Sequence, residues 1–268
     1  MNIGIVGLGV VGKAVKFGLE KKLGHTIFTY TRSDEKTQLT KLFKNSEIIF
    51  ICVSTPQAPD GSCDISNIID VCTKLNALAK KAKKKKDVVI KSTTDPRFIQ
   101  TMDKKYPYLR LAINPEFLKE NAAVHDFCNQ DICVIGTKYN DLYEKLVKLH
   151  GNLAQEYIKT TPIAASLVKY FNNTFHATRI IFANMFYDLA QSLGADYNEV
   201  KSIAVKRYNM IDAYLDCNQN LRGYSGMCLP KDTEAIVALS KNLKLEYNLL
   251  QAVISDNKRL NKNHPDKN

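Results

Sequence analysis

The segment Gly223-Tyr224-Ser225-Gly226-Met227-Cys228-Leu229-Pro230-Lys231-Asp232 places a thiol between a glycine-containing loop and the start of a helix. Pro230 suits a first helical turn, where a missing N–H is no loss. The partial positive charge of a helix amino-terminus favours thiolate over thiol, and the thiolate is the nucleophilic form. Cys228 is therefore a candidate nucleophile, the alternative being a small buried hydrophobe at a loop–helix junction. Asp232 lies four residues on, on the same helical face, where it either orients a water or a lysine or compensates the helix dipole. Lys231 between them is expected to face solvent. A second polar pair at helical spacing, Lys169 and Asn173, shares one face of a long apolar segment from Pro162 to Leu193 that Gly194 ends.

Such side chains need a scaffold, and the amino-terminal half supplies one. Asn2–Val6 reads as a β-strand, followed by Gly7-Leu8-Gly9-Val10-Val11-Gly12 and an amphipathic helix over Lys13–Lys22. This is the turn of a dinucleotide fold. The first glycine makes the turn, the second admits a pyrophosphate, and the third lets helix pack on strand, with amides at the helix start as donors. Gly7, Gly9, Val10, Val11 and Gly12 are the expected cofactor contacts. The second strand, Thr26–Tyr30, ends in Thr31-Arg32-Ser33 rather than in a carboxylate that would bind the ribose of NAD. A guanidinium between two hydroxyls suits a 2′-phosphate, so NADP is expected to be accepted beside NAD, unless Arg32 is only a surface residue at a turn.

Further strands at Glu47–Val53, Asp87–Lys91, Tyr108–Ile113 and, last, Asp131–Gly136 alternate with helices at Ile65–Ala82 and Asn140–His150. The alternation predicts an α/β fold. A Rossmann-like parallel-sheet domain over 1–161 leads into a long central helix and a small all-α domain over 162–260, with helices at Glu234–Leu243 and Tyr247–Leu260. Residues 261–268 read as a flexible tail.

Bulk properties narrow the classes. The 268 residues are 45% hydrophobic and 24% charged, ordinary for a globular protein. Seven cysteines without metal-ligand spacing argue for reduced thiols in a cytoplasmic setting and against a zinc site. No signal peptide and no membrane span is expected. The formal charge of +11 suits an acidic ligand such as a nucleotide diphosphate. The run Lys80-Lys81-Ala82-Lys83-Lys84-Lys85-Lys86 contains no aromatic residue for base stacking and reads as a solvated helix end, not a nucleic-acid site.

Three strand ends carry polar motifs: Cys52-Val53-Ser54-Thr55-Pro56 with Asp60-Gly61-Ser62-Cys63-Asp64, then Lys91-Ser92-Thr93-Thr94, then Asn114-Pro115-Glu116-Phe117-Leu118-Lys119-Glu120. Ligands of a parallel sheet sit at such ends, which adds Val53, Ser54, Thr55, Pro56 and Thr93 to the expected cofactor contacts. With GLGVVG, KYFNN and GYSGMCLPKD, these motifs run in an order that resembles the UDP-glucose/GDP-mannose 6-dehydrogenase family, from residue 3 to about 240.

The resemblance implies a four-electron oxidation of a nucleotide sugar, UDP-glucose to UDP-glucuronate, by an NAD(P)-dependent enzyme. In it Lys169 and Asn173 face the C6 oxygen and Cys228 carries the covalent intermediate. Glu116 and Glu120 are the carboxylates of the hydrolytic step, Thr93 helps hold water, and the long helix forms a homodimer interface.

The sequence departs from the family in three places. Members usually continue into a further nucleotide-gripping domain, so a shortened form is expected, with a separate chain as one possible source of that domain. Met210 stands where an arginine reaching a neighbouring site is usual, leaving Arg222 or Arg207 to substitute. Ser225-Gly226 replaces a glycine pair, which narrows backbone freedom. Two other readings stay open: a cofactor-binding protein without turnover, and a dehydrogenase of a smaller sugar phosphate.

Overall fold

The computed structural model describes residues 1–33, 38–208, 210–245 and 247–262. The expected tail falls mostly on 263–268, outside the described residues. Two compact units emerge, one made of Met1–Pro56 and Cys63–Lys169, the other of 57–62 and the chain from Tyr170 onward.

The first unit is built on seven strands: β1 (Asn2–Val6), β2 (Thr26–Tyr30), β3 (Ile48–Ile51), β4 (Lys86–Ile90), β5 (Leu109–Ile113), β6 (Gln130–Gly136) and β7 (Ala154–Thr160). Their spatial order is β2-β1-β3-β4-β5-β6-β7. Neighbours pair in parallel except β5 and β6, which meet antiparallel at Ile113 and Gly136. Two expectations are corrected here: the sheet is not wholly parallel, and Asp131–Gly136 is not its last strand. β7 is an edge strand with three of its seven residues exposed and none buried, so its sequence lacks the apolar run that marks a buried strand.

Period-two alternation sends side chains to two apolar layers. Ile49, Ile51, Val88, Ile90, Leu109 and Leu111 face one layer, with α2 (Leu39–Asn45), α3 (Ser66–Lys81) and α4 (Pro96–Lys105) packed on it. Ile3, Ile5, Ile48, Phe50 and Val89 face the other, under α1 (Val10–Phe17), α5 (Ala123–Cys128) and α6 (Asn140–His150). The expected helix over Lys13–Lys22 is α1 continued by a π turn at Gly18–Lys22. Gly18 is required there, because a Cβ would stand 2.6 Å from the Phe127 ring. Because β2 lies on one side of β1 and β3 on the other, the loop after β1 sits at the switch point where such sheets bind ligands.

α7 (Pro162–Ser192) leaves the sheet unit and continues into the second. There it is joined by α8 (Tyr197–Tyr208), α9 (Leu229–Asn242) and α10 (Leu249–Lys262). Two small cores hold this unit: Ala177, Ile181, Tyr224, Val253 and Leu260, and then Ala183, Tyr187, Ala190, Tyr197 and Cys217. Among the described residues, no helix is long and apolar enough to cross a membrane.

Candidate active site

The glycine turn performs three separate tasks. Gly7 has φ +92°, and a Cβ on it would stand 2.5 Å from the Cys52 carbonyl oxygen, so both backbone and space demand glycine. A Cβ on Gly12 would overlap the Gly7 carbonyl, so this glycine lets α1 close onto the turn. At Gly9 a Cβ would meet nothing within 4 Å. That open space borders the amino-terminus of α1, whose cap residue Gly9 offers no side chain to the amides of its first turn. Such a cradle could take a diphosphate, for which Val10, Val11 and Gly12 would supply amides.

The neighbouring strand ends are braced to one another. Ser92 Oγ donates to the Val53 carbonyl at 2.7 Å. The Asn67 side chain, in the first turn of α3, donates to the Ser54 carbonyl at 3.0 Å and accepts from Arg32 Nη2 at 2.5 Å. Arg32, Thr31 and Ser33 thus lie at the end of β2, beside a loop anchored through Asn67. Asn67 was not singled out in the sequence; nothing local distinguishes an asparagine in a first helical turn from a capping residue. Thr55 is nearly buried, Pro56 ends the loop's stay in this unit, and the Thr93 carbonyl accepts from the Cys63 thiol at 3.7 Å.

After β5, Glu116 is held at both oxygens. Oε1 accepts from Lys169 Nζ at 2.8 Å and Oε2 from the Leu118 amide at 2.7 Å. Lys169 is 4% exposed, so the pair is largely shielded from water, where a charge pair is stronger and breaking it is costly. Glu120 opens a short 3-10 turn, Glu120–Ala122, and is exposed. Of the two expected carboxylates, Glu116 is the one joined to Lys169.

The second unit holds the other half of the expected set. Cys228 is the cap residue of α9, exposed, with Pro230 inside the first turn. Asp232 is 1% exposed and its amide donates to the Cys228 carbonyl at 2.9 Å, which is the first bond of the helix. Its carboxylate accepts from Asn173 Nδ2 at 2.6 Å and from Lys231 Nζ at 2.6 Å. Lys231 is therefore not solvent-facing as expected: the buried carboxylate draws it in.

Arg222 is also placed differently from expectation. It does not reach outward. Its guanidinium donates to Asn184 Oδ1 at 2.7 Å and Asp188 Oδ1 at 2.6 Å on α7, over the Tyr187 ring, and the residue is 7% exposed. On the other side Tyr224 exchanges backbone bonds with the Asn257 side chain of α10. The stem of the cysteine loop is thus clamped between two helices. The left-handed positions of this loop are Gly223 (φ +58°) and Gly226 (φ +79°), so Ser225 needs no special freedom and its replacement of a glycine is without backbone cost.

A doubly wound sheet with a glycine turn at its switch point, joined by one long helix to a helical unit that exposes a thiol at a helix start, defines a dinucleotide-fold α/β protein with an appended helical domain. Residues 19–154 match the NAD binding domain of the UDP-glucose/GDP-mannose dehydrogenase family, and residues 163–259 its central domain. The chain belongs to that family.

It is 32% identical over 243 residues to a UDP-glucose 6-dehydrogenase of Rickettsia bellii, covering 86% of this chain and 54% of that protein. Over 238 residues it is 26% identical to a GDP-mannose 6-dehydrogenase of Pseudomonas aeruginosa, covering 82% and 53%. Its fold is similar to that of a UDP-glucose dehydrogenase from Pyrobaculum islandicum, with a TM-score of 0.88 and 26% identity, covering 96% of this chain and 68% of that one. The chain spans about half the length of the curated relatives it matches.

Proposed function

We propose that the chain acts as an NAD-dependent nucleotide-sugar 6-dehydrogenase, with UDP-glucose as substrate and Cys228 as covalent carrier. The observation that carries this reading is the exposed Cys228 thiol at the start of α9, one turn from a buried Asp232 that binds Asn173 and Lys231. NAD, held by Gly7, Gly9, Val10, Val11 and Gly12, would supply the electron acceptor for two successive two-electron oxidations.

The residues then divide the work. Loss of a hydride and of the hydroxyl proton turns the C6 alcohol into an aldehyde, and Lys169 and Asn173 stabilise the negative oxygen that develops. The Cys228 sulfur bonds to C6 as a proton goes to the aldehyde oxygen, giving a thiohemiacetal; loss of a second hydride from C6 and of that hydroxyl proton leaves a thioester. Water adds to C6 while Glu116 or Glu120 takes its proton and Thr93 holds it. The C–S bond breaks with its electron pair returning to sulfur, and the carboxylate is released.

Mixing the protein with NAD and UDP-glucose tests this reading. Two reduced cofactors per sugar oxidised are expected, and tight NAD binding without any reduction would sink it. Arg32, flanked by Thr31 and Ser33, supports acceptance of NADP as well; NAD binding tighter by about tenfold or more, close to 1.4 kcal/mol, argues against that part.

The same reading includes a homodimer through α7. Phe171, Phe175 and Phe182 on this helix are each more than half exposed, and a cavity of about 550 Å³ opens beside Phe175 and Phe182 toward α8. Apolar surface of this kind is usually covered by a partner. Light scattering should give twice the chain mass, and a monomer at micromolar concentration contradicts it.

A further inference from the structure

Lys91 follows β4 and its ammonium is buried, with 2% of the residue exposed. Its hydrogen-bond acceptors among the described residues are the two oxygens of Asn114, the side-chain Oδ1 at 2.9 Å and the backbone carbonyl at 3.2 Å. The thiols of Cys52 and Cys133 lie within its electrostatic reach, and burial pushes both toward the neutral form, Cys52 up to about 12. Burial also pulls Lys91 down from the ordinary lysine range. A buried charge in this setting is a poor device for stability, since an apolar side chain of similar length is often neutral or stabilising.

What the ammonium does hold is Asn114. All four polar groups of this residue are engaged: its amide donates to the Ile90 carbonyl at 2.9 Å and its Nδ2 to the Val134 carbonyl at 2.7 Å, while both oxygens accept from Lys91. β4 pairs with β5 along its whole length, but on the other side β5 meets β6 through a single antiparallel pair. Beyond Ile113 it is Asn114 that bridges the two neighbours, through the Ile90 and Val134 carbonyls. Pro115 then restricts the chain, and Glu116 follows with Lys169 on one oxygen.

We propose that Lys91 is a positioning residue for the hydrolytic step, fixing through Asn114 the turn that aims Glu116 at the attacking water. This rests on the dehydrogenase reading above. In that step the water oxygen bonds to C6, its proton passes to Glu116, and the C–S bond breaks with its electron pair returning to Cys228. A base displaced by about an ångström loses rate on the order of a hundredfold, while steps that do not use it are untouched.

The test is rapid mixing of Lys91→Met and of Lys91→Gln, which keeps a donor for Asn114, with NAD and UDP-glucose. Lys91→Met should give a fast burst of two reduced cofactors per chain and then a steady rate slowed on the order of a hundredfold. An acyl adduct on Cys228 should be seen by mass spectrometry, with KM for the sugar unchanged, and Lys91→Gln should recover part of the rate. Loss of burst and of NAD affinity in proportion to the steady rate, no slowing in either variant, or failure of both to fold overturns the assignment. The wild-type protein is measured first: absence of turnover there defeats the dehydrogenase reading itself, whereas wild-type turnover with an unaffected acyl step in the variants defeats only the role of Lys91.

Discussion

Asn173 Nδ2 donates to Asp232 Oδ2 across 2.6 Å, tying α7 to the first turn of α9. The other oxygen of the same carboxylate takes Lys231, and the Asp232 amide closes the first helical bond onto Cys228. One buried carboxylate therefore sets where the thiol-bearing end of α9 stands. Its removal would leave an asparagine donor and an ammonium facing each other with nothing to bind.

Asp232→Ala is expected to destabilise the protein by about 3 kcal/mol, because it removes a buried carboxylate and strands the buried Asn173 amide and the largely covered Lys231 ammonium that it binds. The urea midpoint should fall with the slope unchanged. A loss smaller than about 1 kcal/mol would show that the cluster relaxes or hydrates without cost.

Cys228→Ser separates chemistry from folding. The residue is exposed and caps a helix, and serine is a favoured cap, so stability should stay within about 0.5 kcal/mol. Carboxylate formation should stop, since a hydroxyl captures the aldehyde poorly and leaves more poorly still. Unchanged four-electron turnover in this variant would remove the covalent role.

Gly9→Ala and Gly12→Ala should fail in different ways. A methyl on Gly9 meets open space at φ −69°, so the melting temperature should hold while NAD affinity drops, because the methyl occupies the diphosphate's approach. A methyl on Gly12 strikes the Gly7 carbonyl, so that variant should lose on the order of 2 kcal/mol of stability before any ligand is added. Thermal melts with NAD titrations distinguish them, and equal NAD affinity for wild type and Gly9→Ala would count against the cradle.

His150 should make the sheet unit acid-sensitive. It is wholly buried against Phe50, Phe127 and Tyr157, with Nδ1 2.8 Å from the Leu146 carbonyl and Nε2 without a hydrogen-bond partner among the described residues. Burial, aided by the Lys91 charge, lowers its pKa from 6.5 to about 4. The unfolded chain therefore takes up this proton first as pH falls. The stability associated with the neutral ring is intact above about pH 6.5 and is lost progressively toward pH 4, a total of about 3 kcal/mol. His150→Gln keeps a donor for Leu146 without titrating, so the stability gap between wild type and variant should narrow over that range; a constant gap would contradict the argument.

Much of this protein was decided locally. β1, β2 and α6 fall on the residues that period and capping select, because neighbours a few positions apart determine those patterns. The glycine turn was legible for the same reason: Gly7 and Gly12 answer to contacts within the loop or with the adjacent strand end, and Gly9 leaves open space. Cys228 could be placed at a helix start from Pro230 alone.

What sequence could not reveal lies in pairings between distant positions. β7 is an edge strand whose exposed face carries polar residues, so only its partner β6 identifies it. Lys231 looks like a surface lysine until Asp232 is known to be buried, and Arg222 looks available until Asn184 and Asp188 on α7 are seen to hold it. Lys91 is one letter in a strand-end motif, and its hold on Asn114, twenty-three residues away, shows only in the fold. Types and spacing along the chain marked which side chains in its loops are candidates for chemistry. Tertiary structure alone decided which carboxylate meets which cation, because burial and hydrogen bonding act through space between residues that sequence keeps apart.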